Sequence, residues 1–464
     1  MPRLLPAILA LLFAASLHAV EVKPNIVFLF SDDQNAQTIH GLGNEQIRTP
    51  NLDALYERGF HFRNAFCMGA MQGAVCVPSR AMLMTGRQLF RVDEKLAKQT
   101  LLPAVLAQGG YETYATGKWH NGEPSFVRAF QHGKNVFFGG MSNQSAVAVA
   151  DLKGDGTFTA KRTGKEFSSG LFADAAIEFI RQHKGDKPFL LYVPFTQPHD
   201  PRTSPPPYST MYDPASVPLP SPFMPVHPFD NGDMTLRDEK LLPWPRTEEA
   251  VRKATADYFG CITYMDAQIG RITAALRETG LFDNTLIVFA SDHGLALGRH
   301  GLMGKQNLYD HSMRAPLVMA GPGIKKGRSD AMCYLLDVFP TLLDLAGIKA
   351  PDDIDGKSLV PLMAGKSQTH REEIVLAYLN VQRALRTDQW KLIVYPKINR
   401  VQLFDVKGDP DELRDMAGDA DQLERVKMMT ARLARLQGEL GDKAPLRSER
   451  PASEVFVPPV GTAR

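Results

Sequence analysis

Pro24-Asn25-Ile26-Val27-Phe28-Leu29-Phe30, followed by Ser31-Asp32-Asp33, is the stretch on which the fold class turns. A strand with one wet face alternates apolar and polar residues, whereas this run is continuously apolar from Ile26 and flanked by turn formers. It therefore reads as a strand buried on both faces, as in a parallel sheet with helices above and below. The pattern recurs along the chain. Tyr111–Thr116 leads into Gly117-Lys118-Trp119-His120, Pro188–Phe195 ends near His199, Thr285–Ala290 exits into Ser291-Asp292-His293-Gly294, and Ala315–Ala320 is one more strand. Helical patterns fill the intervals at Pro50–Arg58, Leu101–Gln108, Ser169–His183, Glu248–Glu278 (a bend is expected near Gly260) and Leu335–Leu345. Strands alternating with helices, with polar clusters at the strand exits, predict an α/β fold. Its sheet reads as parallel and sandwiched by helices, with ligands bound beyond the carboxyl ends of the strands.

From Arg371 the pattern shortens to Ile374–Leu379, Gln382–Arg386, Trp390–Val394 and Gln402–Asp405, then a helix from about Asp421 to Gly438. This predicts a small C-terminal antiparallel sheet subdomain. At the other end, Met1-Pro2-Arg3 and the apolar run Leu4–Leu17 read as a secretory signal peptide cleaved after Ala19. The run is shorter than the roughly 20 residues that span a bilayer. The expected organisation is a signal peptide (1–19), a catalytic unit (20–370), a C-terminal subdomain with a four-stranded sheet and helix (371–442) and a tail (443–464), in a secreted or periplasmic protein with no membrane span. At 464 residues, 44% hydrophobic and 22% charged, the chain has ample material for a large core. A net charge of +2 leaves no basic surplus that would suggest a nucleic-acid partner.

The chemistry-bearing residues cluster at the predicted strand exits. Asp32 and Asp33 follow one buried strand and Asp292 with His293 another, a set of oxygen donors suited to one hard cation such as calcium or magnesium. Arg80, Lys118, His120, His199 and Lys305 add positive charge, which suits a tetrahedral oxyanion. Cys76 begins Cys76-Val77-Pro78-Ser79-Arg80, and Pro78–Met84 reads as a short helix ended by Gly86. That puts Cys76 at a helix N-terminus, where free N–H groups and the dipole favour an anion. A cysteine with no spaced partner makes a poor zinc site, and a thiolate nucleophile would want an adjacent histidine base. The residues by themselves reach a hydrolase of a tetrahedral oxyanion ester without naming its nucleophile. The other cysteines are Cys67, Cys261 and Cys333, and the last two lie in apolar patterns that read as buried.

Cys76-Val77-Pro78-Ser79-Arg80 with Thr85-Gly86-Arg87 resembles the signature of the type I sulfatases, the formylglycine-dependent branch of the alkaline phosphatase superfamily. The likeness extends through Asp32-Asp33, Gly117-Lys118-Trp119-His120, Pro198-His199, Ser291-Asp292-His293-Gly294, Gly304-Lys305, Arg314-Ala315-Pro316-Leu317 and Leu403-Phe404-Asp405. It implies an alkaline-phosphatase-like mixed sheet sandwiched by helices, with a small C-terminal antiparallel sheet. It also implies that Cys76 is converted to formylglycine by a maturation enzyme of the host, either formylglycine-generating or anaerobic sulfatase-maturating. With Cys76 converted, at most one disulfide remains possible.

The resemblance assigns a calcium ion (magnesium being the second choice) to Asp32, Asp33, Asp292, His293 and the converted Cys76. Lys118, His199 and Lys305 would neutralise the sulfuryl oxygens, His199 would protonate the leaving oxygen, with Lys305 as fallback, and His120 would take the proton from the second hydroxyl. Arg80 would orient the nucleophile. The expected substrate is a sulfated oligosaccharide or polysaccharide, faced by His40, Phe126–Asn143, Asp200 and Arg202, with Trp244 as a possible stacking surface. Arg202 would pair with a uronate or a second sulfate, or else stand as a surface arginine in a salt bridge. The rivals are a phosphate or phosphonate monoester hydrolase on the same scaffold and a binding protein without activity. A phosphate monoester carries about one more negative charge than a sulfate ester near neutral pH, which a single metal cluster answers less well.

Overall fold

The computed structural model describes residues 23–459. The expected signal peptide, residues 1–19, lies outside the described residues. In chain order the strands are β1 (Asn25–Ser31), β2 (Phe60–Phe66), β3 (Gly69–Ala70), β4 (Glu112–Lys118), β5 (His132–Phe137), a detached hairpin of β6 (Ala148–Val149) and β7 (Arg162–Thr163), β8 (Phe189–Pro194), β9 (Thr285–Ser291), β10 (Arg314–Ala315), β11 (Leu317–Ala320) and β12 (Gly327–Tyr334). Those of the C-terminal segment are β13 (Ile374–Tyr378), β14 (Gln382–Arg386), β15 (Trp390–Tyr395) and β16 (Arg400–Asp405).

The main sheet has nine strands in the order β10-β2-β11-β9-β1-β8-β4-β5, with β12 also pairing β2. Strands β9, β1, β8, β4 and β5 are mutually parallel, but β11 runs antiparallel to both β9 and β2. The sheet is therefore mixed, as the family resemblance implies, and not parallel throughout as the strand–helix alternation suggests. Three strands, β2, β5 and β12, add to what the pattern showed.

The reading of β1 as buried on both faces holds residue by residue. Ile26, Phe28 and Phe30 pack into one core with Leu190, Tyr192, Leu286 and Val288. Val27 and Leu29 pack into the other with Leu191, Val193, Ile287 and Phe289. Helix Cys76–Thr85 (Met82, Leu83) and helix Val338–Leu345 (Phe339, Leu342) cover the first face. Helices Ser168–Gln182 and Glu248–Glu278 (Phe172, Met265, Ile269) cover the second. Glu248–Glu278 is one uninterrupted helix. Gly260 admits a close neighbour there, since a Cβ at that position would lie 2.6 Å from the Tyr208 carbonyl oxygen.

β13 to β16 form an antiparallel meander, joined by the short β3 running parallel to β13, so this sheet has five strands rather than four. One of its faces packs against helix Leu423–Leu440 through Leu392, Leu403, Met429 and Leu433. The other joins the main core through Leu376 and Ile393. Because β3 lies just ahead of Cys76 in sequence, the second sheet braces the approach to that residue.

Asp337 pins this arrangement. It is fully buried and accepts hydrogen bonds from Arg371 Nε at 2.9 Å, from His370 Nε2 at 3.1 Å and from the backbone N–H groups of Tyr334 and Lys357, both at 2.8 Å. Burial alone would raise its pKa, but the Arg371 charge and these bonds outweigh it and hold Asp337 at about 2. A folded value below the ordinary 3.8 means that this stability is present above pH 3.8 and is lost as pH falls towards 2. Asp337→Asn is expected to cost roughly 3 kcal/mol at neutral pH, because Arg371 is left buried beside a neutral group. In urea denaturation the gap between variant and wild type should shrink as pH falls below 3.8; a gap independent of pH would contradict the assignment.

Candidate active site

Neighbouring parallel strands deliver the polar residues to one end of the sheet. Ser31 and Ser291 are paired across β1 and β9, so Asp32 and Asp292 leave the sheet side by side. Lys118 closes β4, and His199 follows β8. Cys76 is the first residue of helix Cys76–Thr85, which ends at Gly86 in the left-handed conformation. Ser79 Oγ donates to the Asp292 carbonyl at 2.6 Å and ties that helix to the exit of β9.

Asp32 accepts from Lys118 Nζ at 2.5 Å and from Arg80 Nη2 at 3.2 Å. Arg80 also lies 3.1 Å from Asp292 Oδ2 and donates to the Lys118 carbonyl at 3.2 Å. Lys305 Nζ reaches both oxygens of Asp33, at 2.8 and 2.9 Å. His199 Nε2 and His293 Nε2 lie 3.8 and 3.5 Å from Asp33. His120 Nδ1 is 3.4 Å from Cys76 Sγ. All of these residues are buried except His120, which is partly exposed. Asp33 and His120 are both held at positive φ, 69° and 64°, a conformation that costs a non-glycine residue energy and clusters at functional sites.

Such crowding shifts the titrations. Burial would raise Asp32, yet Lys118 and Arg80 hold it well below the carboxylate range. Burial, with the charges of Asp32 and Asp33 beside it, pushes Asp292 up to about 6. Burial would lower His293, but Asp292 and Asp33 raise it to about 9. Burial would also raise the Cys76 thiol; Lys118, His120, His293 and Lys305 outweigh it and hold the thiol well below its ordinary value. The position of Cys76 thus favours an anion, and the three carboxylates favour a cation.

The residues fit a divalent cation. Asp32, Asp33 and Asp292 each offer an oxygen, with these atoms within 4.8 Å of one another. His293 Nε2 is buried without a hydrogen bond. Gln34, next to Asp33 in sequence, is wholly buried with both amide atoms unbonded. An oxygen-rich set of this kind suits calcium or magnesium.

The family described as Sulfatase matches residues 24–348, and that described as N-sulphoglucosamine sulphohydrolase, C-terminal, matches residues 298–439. The chain belongs to the sulfatase family. It is similar to an N-acetylglucosamine-6-O-sulfatase of Bacteroides thetaiotaomicron, 27% identical over 96% of this chain and 92% of that protein. Among solved structures, one protein in complex with its substrate D-glucosamine-2-N,6-O-disulfate superposes with a TM-score of 0.75 at 24% identity, covering 92% of this chain and all of the other. The phosphonate monoester hydrolase of Agrobacterium radiobacter superposes at 0.72 with 22% identity, covering 90% and 96%. At these identities both structures speak to the alkaline-phosphatase-like fold alone. As a sulfatase the protein is a sulfuric ester hydrolase, of a family that generally uses a formylglycine and a divalent metal.

The structure brings together Asp32, Asp33, Cys76, Arg80, Lys118, His120, His199, Asp292, His293 and Lys305. It does not bring Arg202 among them. Arg202 lies over the ring of Tyr258, 5.8 Å from its centroid, and the Tyr258 hydroxyl bonds the Asp33 carbonyl from behind. His40 pairs with Asp53 instead. Trp244 is buried between Arg246 and Phe456, so it offers no stacking surface. All four cysteines are free and buried.

The proline-rich segment after Arg202 returns to the site with two residues that the sequence did not single out. Arg237 clasps Asp200 through both guanidinium nitrogens, at 2.5 and 3.0 Å, beside His199. Asp238 lies 3.8 Å from Lys305 Nζ. Chelator-stripped protein is expected to gain about 2–3 kcal/mol of stability at a roughly hundredfold excess of calcium over its Kd. Asp33→Asn should lose most of that gain; a wild-type melting temperature indifferent to calcium would contradict a cation at the carboxylates.

Proposed function

We propose that this sulfatase removes sulfate from a sulfated carbohydrate, an oligosaccharide released from a polysaccharide, after Cys76 has been oxidised to formylglycine by a host maturation enzyme. The single observation that carries the reading is the convergence of Cys76, at a helix N-terminus, with three buried carboxylates and the side chains of Lys118, His199 and Lys305. The carbohydrate class is supported by the relatives, among them the N-acetylglucosamine-6-O-sulfatase. Calcium held by Asp32, Asp33, Asp292 and His293, with Gln34 and the converted Cys76 as further donors, would supply Lewis-acid polarisation of the nucleophile and a sulfate oxygen. The hydrate of formylglycine supplies the hydroxyl that attacks sulfur.

The chain's other residues divide the remaining work. Lys118 and Lys305 place positive charge where the sulfuryl oxygens gather negative charge. His199 is held by its Nδ1 against the Asp200 carbonyl at 2.8 Å, which leaves Nε2 to protonate the leaving oxygen. His120, beside position 76, accepts the proton of the second hydroxyl; burial lowers its pKa and keeps it neutral for that task. Arg80, fixed by Asp32 and Asp292, orients the nucleophile. This reading assigns catalysis to residues 20–370 and support to residues 371–442, with a tail at 443–464. It also places the protein outside the cytoplasm, secreted or periplasmic. Among the described residues no helix is long and apolar enough to cross a membrane.

The test is sulfate release, read by ion chromatography, from carrageenan, ulvan, fucan, chondroitin and heparan fragments, after peptide mass spectrometry has confirmed conversion of Cys76. Release from one glycan, lowered roughly a thousandfold or more by Cys76→Ala, is expected; release that survives Cys76→Ala would overturn the proposal. His199→Gln should cost about a hundredfold to ten-thousandfold on a sugar sulfate. It should cost far less on an aryl sulfate whose leaving group needs no proton. Equal losses on both would remove His199 from the role of acid.

A further inference from the structure

A groove of about 840 Å³ runs along the flank of the main sheet, between the loop at residues 36–46 and the strands β2 and β12. Arg63, Arg299, Arg314 and Arg328 line it, and Glu45 is the one acidic residue among the described residues of its wall. Arg299 and Arg314 come from the segment that follows His293, and Gln37, which accepts from Arg299 at 3.1 Å, lies just beyond Asp33 in sequence. Of the four arginines only Arg63 has an ion-pair partner among the described residues, the exposed Asp330 at 3.3 Å.

Several groups in this wall are unsatisfied. Arg299 Nε, Arg314 Nε and His61 Nδ1 are buried without a hydrogen bond, and so is the hydroxyl of Tyr56, a residue 6% exposed. Buried donors left unbonded are costly and call for a partner. Burial, then the charges of Arg328 and Arg63, hold His61 below its ordinary pKa against the opposing charge of Asp330.

We propose that this flank groove binds an acidic stretch of saccharide, through its sulfate or carboxylate groups, at a point separate from the reacting sulfate. Planar guanidinium forks match such anions in two-point contacts. A polymer held there raises the local concentration of sulfate esters at the catalytic end of the sheet without any new contact at that end. The identity of the ligand rests on the proposed glycan substrate, whereas the anion-binding role of the groove does not. Duplex DNA is the competing polyanion, and the near-neutral net charge of +2 argues against it.

The test uses the full mature chain as Cys76→Ala, which binds without turnover, with and without the exposed pair Arg63→Glu and Arg328→Glu. Heparin oligosaccharide binding, measured by calorimetry at fixed low salt, should weaken by about tenfold or more on charge reversal. In formylglycine-bearing protein the same reversals should leave kcat/KM on a small aryl sulfate unchanged. An unaltered heparin Kd would overturn the proposal, and so would duplex DNA that binds as tightly as heparin and is lost in parallel. Because the heparin measurement needs no turnover, its failure is distinguishable from failure of the sulfatase chemistry.

Discussion

Three buried carboxylates at the ends of adjacent strands are the constraint around which the rest of the structure is arranged. Asp32, Asp33 and Asp292 crowd within one small volume, and a buried ion costs several kcal/mol unless it is paired. The pairing comes from distant parts of the chain. Arg80 arrives on a helix, Lys118 at the end of β4, Lys305 on a loop and His293 beside Asp292. The bonds to Asp32 and Asp33 come together only where β1 stands between β8 and β9 in the observed register. The site is thus a consequence of the parallel centre of the sheet, and its electrostatics in turn hold the strand ends together.

The same crowding explains why the local backbone is strained where it is. Asp33 at φ 69° and His120 at φ 64° adopt a conformation that ordinary side chains avoid, at a cost of about 1–3 kcal/mol each. Asp33 is held by several bonds at once. Asp33 N donates to Asp292 Oδ1 at 3.0 Å, its carbonyl accepts from Tyr258, and its carboxylate meets Lys305. The C-terminal sheet takes part through β3, which leads towards Cys76, and through the Asp337–Arg371 contact.

Most of this was legible in the sequence because most of the functional residues follow a buried apolar run. The strand endings before Asp32, Lys118, His199 and Asp292 announce themselves by hydrophobicity, and the C-terminal meander by short runs separated by tight turns. What the pattern does not carry is strand direction, so β11 read as another parallel strand. β12 begins Gly327-Arg328-Ser329-Asp330, an exposed edge with little apolar content and an irregular register between Ser329 and Met332, and it leaves no signal. Arg237 and Asp238 lie in a proline-rich segment without periodicity, where only the tertiary path decides which side chain meets Asp200 or Lys305. Arg202 and Trp244 misled for the complementary reason: residue type suggests contact with a ligand, but burial against Tyr258, Arg246 and Phe456 is set by distant chain.

Selectivity between a sulfate ester and a phosphate monoester follows from the charge balance. A sulfate ester monoanion needs less compensation than a phosphate monoester, and the site offers one carboxylate-held cation position with Lys118, Lys305 and His199 around it. The most direct measurement is kcat/KM for an aryl sulfate, an aryl phosphate and an aryl phosphonate monoester sharing one leaving group, on the same formylglycine-bearing protein. The account predicts that the sulfate is the preferred substrate of the three by a wide margin. A preference for the phosphate or the phosphonate would contradict it.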